Sequence, residues 1–249
     1  MATEKWRLLV STANLANSPI INRLLKALPD TEYAKLVPHL ERVTLAFGEV
    51  IQLAEDPITY VFFPETAVVS MLSIMADGAT TEVGLVGNEG ILGVRVLLGL
   101  NKTPHSAIVQ LAGTAMRMRA KALGERFESG SPTLLSLTLC YTEALLAQAR
   151  QCAACSIQHS ISQRLARWLL AMADYTDTDE LKLTHELIAT LIGSRRAGIS
   201  VFLSKFQEAE MIEYTRGHLT ILDRPRLEAA ACECYRIMRQ EIEQLYAAA

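Results

Sequence analysis

Two amphipathic helices joined by a tight turn are predicted over Leu183–Tyr214, and this stretch constrains the fold more than any other. Thr184 is a preferred N-cap residue for the first helix, and Gly193 suits a helix end that needs a positive φ. Ser194 follows and can cap the second helix. The apolar positions are Leu187, Ile188, Leu191, Ile199, Phe202, Leu203 and Phe206. Their spacing gives each helix one apolar face, which is typical of a helix-turn-helix pair.

The second helix begins with a basic pair, Arg195 and Arg196, and no acidic residue follows until Glu208. In helix-turn-helix proteins the second helix enters the DNA major groove with its N-terminal residues against the bases. The same pattern also occurs in helical bundles, where an arginine pair lies on a solvated face. Taken alone, therefore, this stretch leaves DNA binding and a plain bundle both open.

A β-hairpin is predicted directly after the second helix. Apolar and polar residues alternate over Met211–Thr215 and His218–Leu222, and Arg216 and Gly217 form the turn between them. A hairpin in this place is typical of a winged helix-turn-helix. Its basic tip could contact phosphate, so the hairpin favours the DNA-binding interpretation.

Charge and composition limit the class of protein. Half of the 249 residues are hydrophobic, which is enough for a substantial core in one or two domains. The chain has 24 Lys and Arg against 27 Asp and Glu, which excludes a basic coat that grips nucleic acid anywhere but allows a local basic patch. The opening residues lack the long apolar segment of a secretory signal, and no apolar run is long enough to span a membrane. We therefore expect a soluble, cytoplasmic protein with no membrane partner.

The N-terminal half is rich in short β-segments between Val43 and Met118, after a helical stretch over Pro19–Leu40. Asp77-Gly78 is a strong hairpin turn between two of these segments. Strands this short and this closely spaced predict an antiparallel sandwich or barrel. The glycine-dense segment Gly87–Gly93 could bind an anion at a helix N-terminus, but we favour a corner of the barrel.

A long helix is predicted over Thr133–Ile157, because this stretch has no Gly or Pro and follows a Ser131-Pro132 start. Its seam has a roughly heptad rhythm formed by Leu135, Leu139, Leu146, Ala149 and Ala153. A helix with such a seam between two domains predicts a parallel dimer contact. An ordinary intramolecular core helix is the alternative.

The C-terminal part begins with a predicted helix at Ser160–Ala173, followed by a loop over residues 174–179 that leads into the helix pair. Pro225 ends the wing, and Leu227–Tyr246 is predicted as one amphipathic helix. This helix could pack on the winged domain or contact RNA polymerase, and packing is the favoured interpretation.

The whole order resembles the bacterial catabolite activator (cyclic-AMP receptor)/FNR family of transcription regulators over nearly the full chain. Ser160–Ala173 and Leu183–Ile212 carry the likeness most strongly. The resemblance implies an α+β fold with an N-terminal cyclic-nucleotide-binding-like β-barrel (jelly roll) at 1–130, a dimerisation helix at 131–157 and a winged helix-turn-helix at 158–249. It also implies a homodimer that binds double-stranded DNA at a near-palindromic site.

The family's recognition helix commonly uses an Arg-Glu pair and a later Arg to contact base edges. Here Arg196 matches the first Arg, but Ala197 and Val201 replace the other two. Because Glu and Arg contact particular bases, the usual family operator is not expected. We predict DNA contacts from Thr184, Ser194, Arg195, Arg196 and Ser200, with Lys205 and Arg216 as phosphate contacts.

The family's nucleotide cassette has a Gly-Glu pair for the ribose and an Arg-Ser pair for the cyclic phosphate. The matching segments here are Gly93-Val94-Arg95 and His105-Ser106, so the carboxylate is lost and histidine replaces the guanidinium. We therefore expect an effector other than cyclic AMP, and name Gly93, Arg95, His105 and Ser106 as candidate contacts. No cofactor is predicted.

Two cysteine pairs, Cys152/Cys155 and Cys232/Cys234, could in principle hold zinc or an iron–sulfur cluster. The resemblance to FNR implies a cluster on an N-terminal cysteine group, which this sequence lacks. Buried, inert thiols are the favoured interpretation, so no metal site is predicted. The five histidines show no haem-ligand pattern.

An enzyme is not predicted, because the sequence has no P-loop, no GxSxG and no HExxH segment. The alternative function is a sensor of cyclic nucleotide or another small ligand that does not bind DNA and uses its winged helix for protein contacts.

Overall fold

The computed structural model describes residues 19–247, and its helices and strands alternate in a β-rich first half and a helical second half. Ten strands are found in this range: β1 Glu41–Leu45, β2 Val50–Gln52, β3 Tyr60–Pro64, β4 Val68–Ile74, β5 Thr80–Val86, β6 Ser106–Leu111, β7 Gly113–Arg119, β8 Glu180–Lys182, β9 Ile212–Thr215 and β10 His218–Ile221. Its α-helices are α1 Arg23–Lys26, α2 Asp30–Leu36, α3 Ala120–Glu128, α4 Pro132–Gln158, α5 Ile161–Thr176, α6 His185–Ile192, α7 Arg196–Glu208, α8 Arg224–Ala230 and α9 Cys234–Ala247. Short 3₁₀ turns occupy Val37–His39 and Val94–Leu98.

The predicted sandwich is confirmed as a jelly roll of two open antiparallel sheets. Their strand orders are β1-β7-β3 and β2-β6-β4-β5. Val69, Val86 and Val109 are fully buried in the core that includes both sheets. The outer face of the first sheet packs with α1–α4 in a second core through Val61 and Phe63. The β4–β5 hairpin turns at Asp77-Gly78 as predicted, with Gly78 at φ 85.

The glycine-dense segment is a buried corner rather than an anion site. The Asn22 side chain, fully buried, donates hydrogen bonds to the carbonyls of Pro64 (2.9 Å) and Gly90 (2.8 Å). A Cβ on Gly90 would lie 1.9 Å from the ring carbon Cζ of Tyr141, so only glycine fits there. The Tyr141 ring of α4 therefore fills the space beside Gly90, in agreement with the favoured corner of the barrel.

Helix α4 runs for 27 residues, in agreement with the predicted long helix. Ser131 makes no capping hydrogen bond within the described residues, which corrects the predicted cap. Glu32 of α2 takes this role instead, because its carboxylate accepts hydrogen bonds from the backbone N–H groups of Thr133 and Leu134. The start of α4 is thus held by a residue about one hundred positions earlier.

The winged domain starts with α5. This helix begins at a capping box, in which Ser160 and Gln163 each accept a hydrogen bond from the other's backbone N–H. Helices α6 and α7 meet at 110°, within the usual range for a helix-turn-helix. The wing sheet has three strands in the order β8-β10-β9. Strand β8 is not predicted from the sequence. It has only one buried side chain, Leu181, so its three residues show no alternating pattern without the pairing partner β10.

The C-terminal helix is two helices, not one. Asp223 caps α8 by accepting a hydrogen bond from the Arg226 N–H, and Pro225 fits the first turn, so α8 begins before the predicted boundary. Three non-helical residues, 231–233, then separate α8 from α9. Helix α8 packs on α5, whereas α9 packs mainly along α4.

Helix α9 packs on α5 of the winged domain, as predicted, but it also reaches the N-terminal domain. Leu245 is buried with Leu24 and Tyr141, and the Tyr246 hydroxyl donates a hydrogen bond to the Glu89 carbonyl. Arg23 lies 4.4 Å above the Tyr246 ring. The last helix thus ties the two ends of the described chain together.

The winged domain also packs directly on the jelly roll. Leu85 of β5 belongs to the same buried cluster as Trp168 and Leu169 of α5. Gln148 of α4 connects the two domains, because its side-chain oxygen accepts from the Leu85 N–H (3.2 Å) and its NH₂ donates to the Tyr175 hydroxyl (2.7 Å).

Across residues 19–247, no single helix is both long and apolar enough to cross a membrane. Helices α6 and α7 meet the length and composition limits only when counted together across their 110° bend.

Candidate nucleic-acid interface

Helix α6 is bounded by Thr184 at its start and by Gly193 at its end. Thr184 accepts a hydrogen bond from the Leu187 N–H (3.2 Å), which confirms its predicted capping role. Gly193 ends α6 in the left-handed region at φ 69, also as predicted. Ser194 is not the cap of α7: its N–H still donates to the Ala189 carbonyl (2.8 Å), so it belongs to the end of α6. Arg195 takes the N-cap position.

Helix α7 therefore starts without a side-chain cap among the described residues. Its first N–H groups have no side-chain acceptor, and such groups at a helix N-terminus favour an anion. The basic pair lies at this point: Arg195 and Arg196 are both exposed. The Arg196 Nε lies 3.6 Å from Glu186 Oε2, but both side chains are more than two-thirds exposed, so this ion pair holds the guanidinium only weakly.

The outward face of α7 is otherwise small or apolar. Ala197 and Val201 are exposed, and the Val201 residue retains 52 % of its accessible surface. Lys205 is exposed one turn further along the helix. Ile199 and Leu203 face the core and hold the helix in place. A face of this kind could contact base edges through one arginine and one apolar side chain.

Two of the predicted DNA contacts use their hydroxyls within the protein. Thr184 is the cap of α6, and Ser200 lies 2.7 Å from His185 Nδ1 and donates to the Arg196 carbonyl (3.1 Å). The His185 ring packs against Tyr214 of the wing at 4.5 Å between centroids. Burial and the nearby Arg196 charge lower the pKa of His185. This link from α6 through α7 to the wing was missed in the sequence, which shows no local pattern for it.

The wing hairpin is present as predicted, with His218 opposite Thr215. Its two turn residues, Arg216 and Gly217, both have positive φ (51 and 84), as a tight two-residue hairpin turn requires. Arg216 and His218 are exposed at the tip. The structure thus keeps two basic side chains available where a wing meets DNA.

The predicted seam of α4 lies on the face that residues 19–247 leave uncovered. The exposed fractions of Leu139 and Leu146 are 48 % and 47 %, and Ile157, outside the predicted set, reaches 79 %. Ala149 and Ala153 are also exposed, while Leu135 is half-buried. The buried face is a different one, formed by Leu134, Leu137, Thr138, Tyr141, Ala144, Gln148 and Cys155.

The jelly roll contains a small cavity at the predicted effector position, with a volume of about 60 Å³. Gly93, Arg95 and His105 line it, but Ser106 does not: its hydroxyl accepts a hydrogen bond from the Ala54 N–H (3.1 Å). The Arg95 Nε donates to the Lys102 carbonyl (2.7 Å). The His105 Nδ1 is buried and has no partner within the described residues. Ligand pockets usually measure roughly 300–1,000 Å³, so this cavity is closed to a nucleotide as it stands.

A larger cleft of about 380 Å³ lies between α5, α8 and α9. Its polar side chains are largely paired with one another. Arg224 donates to the Tyr235 hydroxyl (2.9 Å) and bonds both Asp174 and Asp179. This network holds α8 on α5 and leaves little free charge for a ligand.

Two buried carboxyl groups lie where the winged domain meets the jelly roll. Glu82 of β5 accepts hydrogen bonds from the Trp168 Nε1–H (3.1 Å) and the Ser70 hydroxyl. Its carboxyl is enclosed although the residue as a whole is only half-buried, and this burial raises its pKa to about 7. Burial also raises the pKa of Glu89 to about 7, against hydrogen bonds from the Gly87 N–H and the Tyr141 hydroxyl.

A cysteine–histidine group lies at the end of α4. The Sγ atoms of Cys155, Cys232 and Cys234 and a ring nitrogen of His159 all lie within 4.8 Å of one another. This grouping corrects the predicted pairs, because Cys152 is not in it and faces the Arg167 guanidinium at 3.8 Å. The sequence pattern predicts no ligand role for His159.

Comparisons with known proteins agree with this architecture. Residues 163–230 match the family described as the Crp-like helix-turn-helix domain. The global nitrogen regulator of Synechococcus elongatus is 26% identical over 192 residues, which cover 71% of this chain and 83% of that protein.

Solved structures show the same fold at low identity. FixK2 of Bradyrhizobium japonicum has a TM-score of 0.66 at 14% identity and covers 78% of this chain and 98% of its own. The c-di-GMP responsive global regulator CLP of Xanthomonas campestris has a TM-score of 0.62 at 13% identity, with 78% and 99% covered. A CRP-family transcriptional regulator of Thermus thermophilus has a TM-score of 0.61 at 19% identity, with 77% and 96% covered.

The buried Glu82 predicts a pH dependence of stability. The folded protein keeps this carboxyl protonated up to about pH 7, whereas a free carboxyl ionises near its ordinary pKa of 4.5, so the folded state binds more protons between these values. Stability should therefore fall as pH rises through this window, by roughly 1–3 kcal/mol from this group. Urea unfolding at several pH values should show a flatter profile for Glu82→Gln. The exposed Glu125→Gln is the charge-matched control, and an unchanged profile in Glu82→Gln would contradict the assignment.

Proposed function

Since the chain is a transcription regulator of the CRP/FNR type with a Crp-like helix-turn-helix domain, we propose that it binds a specific double-stranded DNA site as a homodimer. It is a regulator rather than an enzyme. The observation that carries the proposal is the free N-terminal end of α7, where exposed Arg195 and Arg196 flank uncapped backbone N–H groups. Because DNA is the target, we propose that it acts in the cytoplasm.

The exposed face of α7 suggests how bases would be recognised. Arg196 can make a bidentate contact with guanine, and Val201 can contact the methyl group of thymine. Arg195 and Ser194 lie at the turn and can contact phosphate or the outermost base. Lys205 and Arg216 carry charge at the far end of α7 and at the wing tip, where phosphate contacts set the register. Thr184 and Ser200 would contribute mainly by holding α6, α7 and the wing together.

The uncovered seam of α4 supports the homodimer. Its exposed leucines and Ile157 form an apolar stripe, and alanines in its C-terminal half allow close approach of a second helix. A twofold axis along this stripe would bring the same surface of the two copies into contact, as in most soluble dimers. The two α7 helices would then contact half-sites about 34 Å apart, one turn of DNA.

We propose an effector other than cyclic AMP for the jelly roll. The Arg95 guanidinium is bonded to the Lys102 carbonyl, and no carboxylate stands where the ribose would bind. The 60 Å³ cavity must open to admit any ligand larger than a few waters. The buried, partnerless His105 Nδ1 is the polar group that such a ligand would meet first among the lining residues.

We also propose the domain boundaries 1–130, 131–157 and 158–249, with one qualification. Helix α9 belongs to the last segment in sequence, but it packs along α4 and contacts the first domain. Its apolar face is therefore used internally, so we assign it a packing role rather than contact with RNA polymerase.

DNA binding can be tested with substitutions on α7, using the protein's own upstream DNA in footprinting and titration. Arg196→Ala should weaken specific binding by about 10- to 100-fold and relax specificity at one base pair, because it removes a bidentate contact. Lys205→Ala should weaken specific and nonspecific binding alike and reduce the salt slope by about one. Lys121→Ala, on α3 and 89 % exposed at its side chain, is the matched control. Unchanged binding by the Arg195→Ala/Arg196→Ala double variant would favour the alternative, a sensor that uses its winged helix for protein contacts.

The dimer can be tested by placing charge on the seam. Leu139→Asp combined with Leu146→Asp should give a monomer at micromolar concentration, because two copies would bury four carboxylates in the contact. Sedimentation equilibrium measures the state directly. Leu98→Asp changes a residue of the jelly roll that is 61 % exposed and should leave the dimer intact. A wild-type monomer, or a dimeric double variant, would contradict the assignment of the seam.

Effector choice can be tested by calorimetric titration of the full-length protein with cyclic AMP. Loss of the charged phosphate partner costs several kcal/mol, so binding should be no tighter than roughly millimolar. A micromolar dissociation constant would overturn this prediction.

A further inference from the structure

Four potential metal ligands from two distant parts of the chain converge at the end of α4. Cys155 and His159 come from the last turn of α4 and its C-cap. Cys232 lies in the link between α8 and α9, and Cys234 is the first residue of α9. The Sγ atoms of Cys155 and Cys232 are 3.5 Å apart, and so are the Sγ of Cys234 and the Nδ1 of His159. In a tetrahedral zinc site, ligand atoms are about 3.5–3.8 Å apart, as follows from Zn–S and Zn–N bond lengths.

We propose that Cys155, His159, Cys232 and Cys234 form a zinc site that fastens the α8–α9 link to the junction of α4 and α5. Three sulfurs and one imidazole nitrogen are a donor set that suits a structural Zn²⁺ ion. The three cysteines are almost fully buried, with exposed fractions of 1 %, 3 % and 0 %. A structural site of this kind needs no open position, in agreement with that burial.

The surroundings of the four residues are those of a metal site. The second ring nitrogen of His159, Nε2, lies 3.2 Å from the carboxylate of Glu233, the residue between the two C-terminal cysteines. Metal-bound histidines usually donate their other N–H to such a carboxylate, which fixes the ring orientation. The Gln151 side chain donates a hydrogen bond to the Cys234 sulfur at 3.0 Å. Three thiolates and one Zn²⁺ leave a charge of −1. The Arg167 guanidinium lies 3.8 Å from the sulfur of Cys152, which precedes Cys155 by about one turn of α4.

Other occupants fit less well. In a [4Fe–4S] cluster each ligand binds a separate iron, and in a [2Fe–2S] cluster two pairs of ligands bind two different irons. Either cluster would place some ligand atoms further apart than the 4.8 Å within which all four lie here. A disulfide between Cys155 and Cys232 would need the sulfurs to close from 3.5 Å to about 2.0 Å, and it would leave Cys234 and His159 without a role.

The position of the site says what the ion would hold in place. His159 precedes the Ser160 cap of α5, so the ion lies at the junction between the long helix and the winged domain. Cys234 is the first residue of α9, which continues along α4 to the N-terminal domain. Binding free energy of the ion would therefore stabilise the packing of the winged domain and α9 against α4.

The site can be tested on the full-length protein, purified anaerobically and reduced. Metal analysis should give about one zinc per protomer. After removal of zinc by a chelator, titration with Co²⁺ should give thiolate-to-metal charge-transfer bands and the intense visible bands of tetrahedral cobalt. The zinc protein should also unfold at a higher temperature than the zinc-free protein.

Variants then identify the ligands. Cys155→Ser, Cys232→Ser, Cys234→Ser and His159→Gln should each lower zinc affinity by more than about 100-fold, and Glu233→Gln by about 10-fold. Cys140→Ser, an exposed cysteine on the same helix, and Cys152→Ser, next to the group, should bind zinc as the wild type does.

Three results with the wild-type protein would overturn the proposal. They can be obtained even if a ligand variant fails to fold. They are wild-type protein that takes up neither zinc nor cobalt, iron with a cluster chromophore, or a Cys155–Cys232 disulfide in peptide mapping of the anaerobic protein. Loss of zinc in Cys152→Ser to the same degree as in Cys155→Ser would show that the ligand set is wrong. DNA binding is not used as a readout, so the test stands apart from the proposed function.

Discussion

Packing of one face of α4 is the constraint on which the rest of the structure depends. Tyr141 is fully buried and fills the corner of the jelly roll so closely that a Cβ on Gly90 would overlap its ring. Gln148 and Cys155 lie about four and six turns after the start of α4, where they contact the winged domain and the α8–α9 region respectively. Because one rigid helix makes all these contacts, the positions of both domains depend on its buried face, while the described residues leave its opposite face exposed.

Polar groups buried around α4 give this packing its specificity. Gln148, Glu82 and Glu89 can meet their hydrogen-bond needs only when Leu85, Trp168 and Gly87 are in place. The raised pKa values of both carboxyls show that burial there has a cost, which the packed arrangement must offset. A contact of this kind fixes orientation more than it adds stability. The proposed zinc site would add to the stability of the same junction at its other end, where α4 meets α5.

Much of the candidate interface could be predicted from the sequence because short-range rules govern it. The Thr184 cap, the left-handed Gly193 and the Arg216-Gly217 turn each depend on neighbours within a few residues. Where prediction failed, a partner from further away had taken over. Glu32 replaces Ser131 as the cap of α4, and β8 exists only because β10 pairs with it. Ser194 is the exception, because its N–H bonds to the Ala189 carbonyl only five residues earlier.

The sequence by itself determined the order of the main elements, the helix-turn-helix with its wing, and the long helix with an apolar seam, since periodicity and caps act locally. Only the tertiary structure decided which face of α4 is buried, that α9 returns to the N-terminal domain, and that Cys155 and His159 meet Cys232 and Cys234. The physical reason is that a contact between residues 77 positions apart has no local signature. It forms when the packing of several helices brings the two side chains to one place.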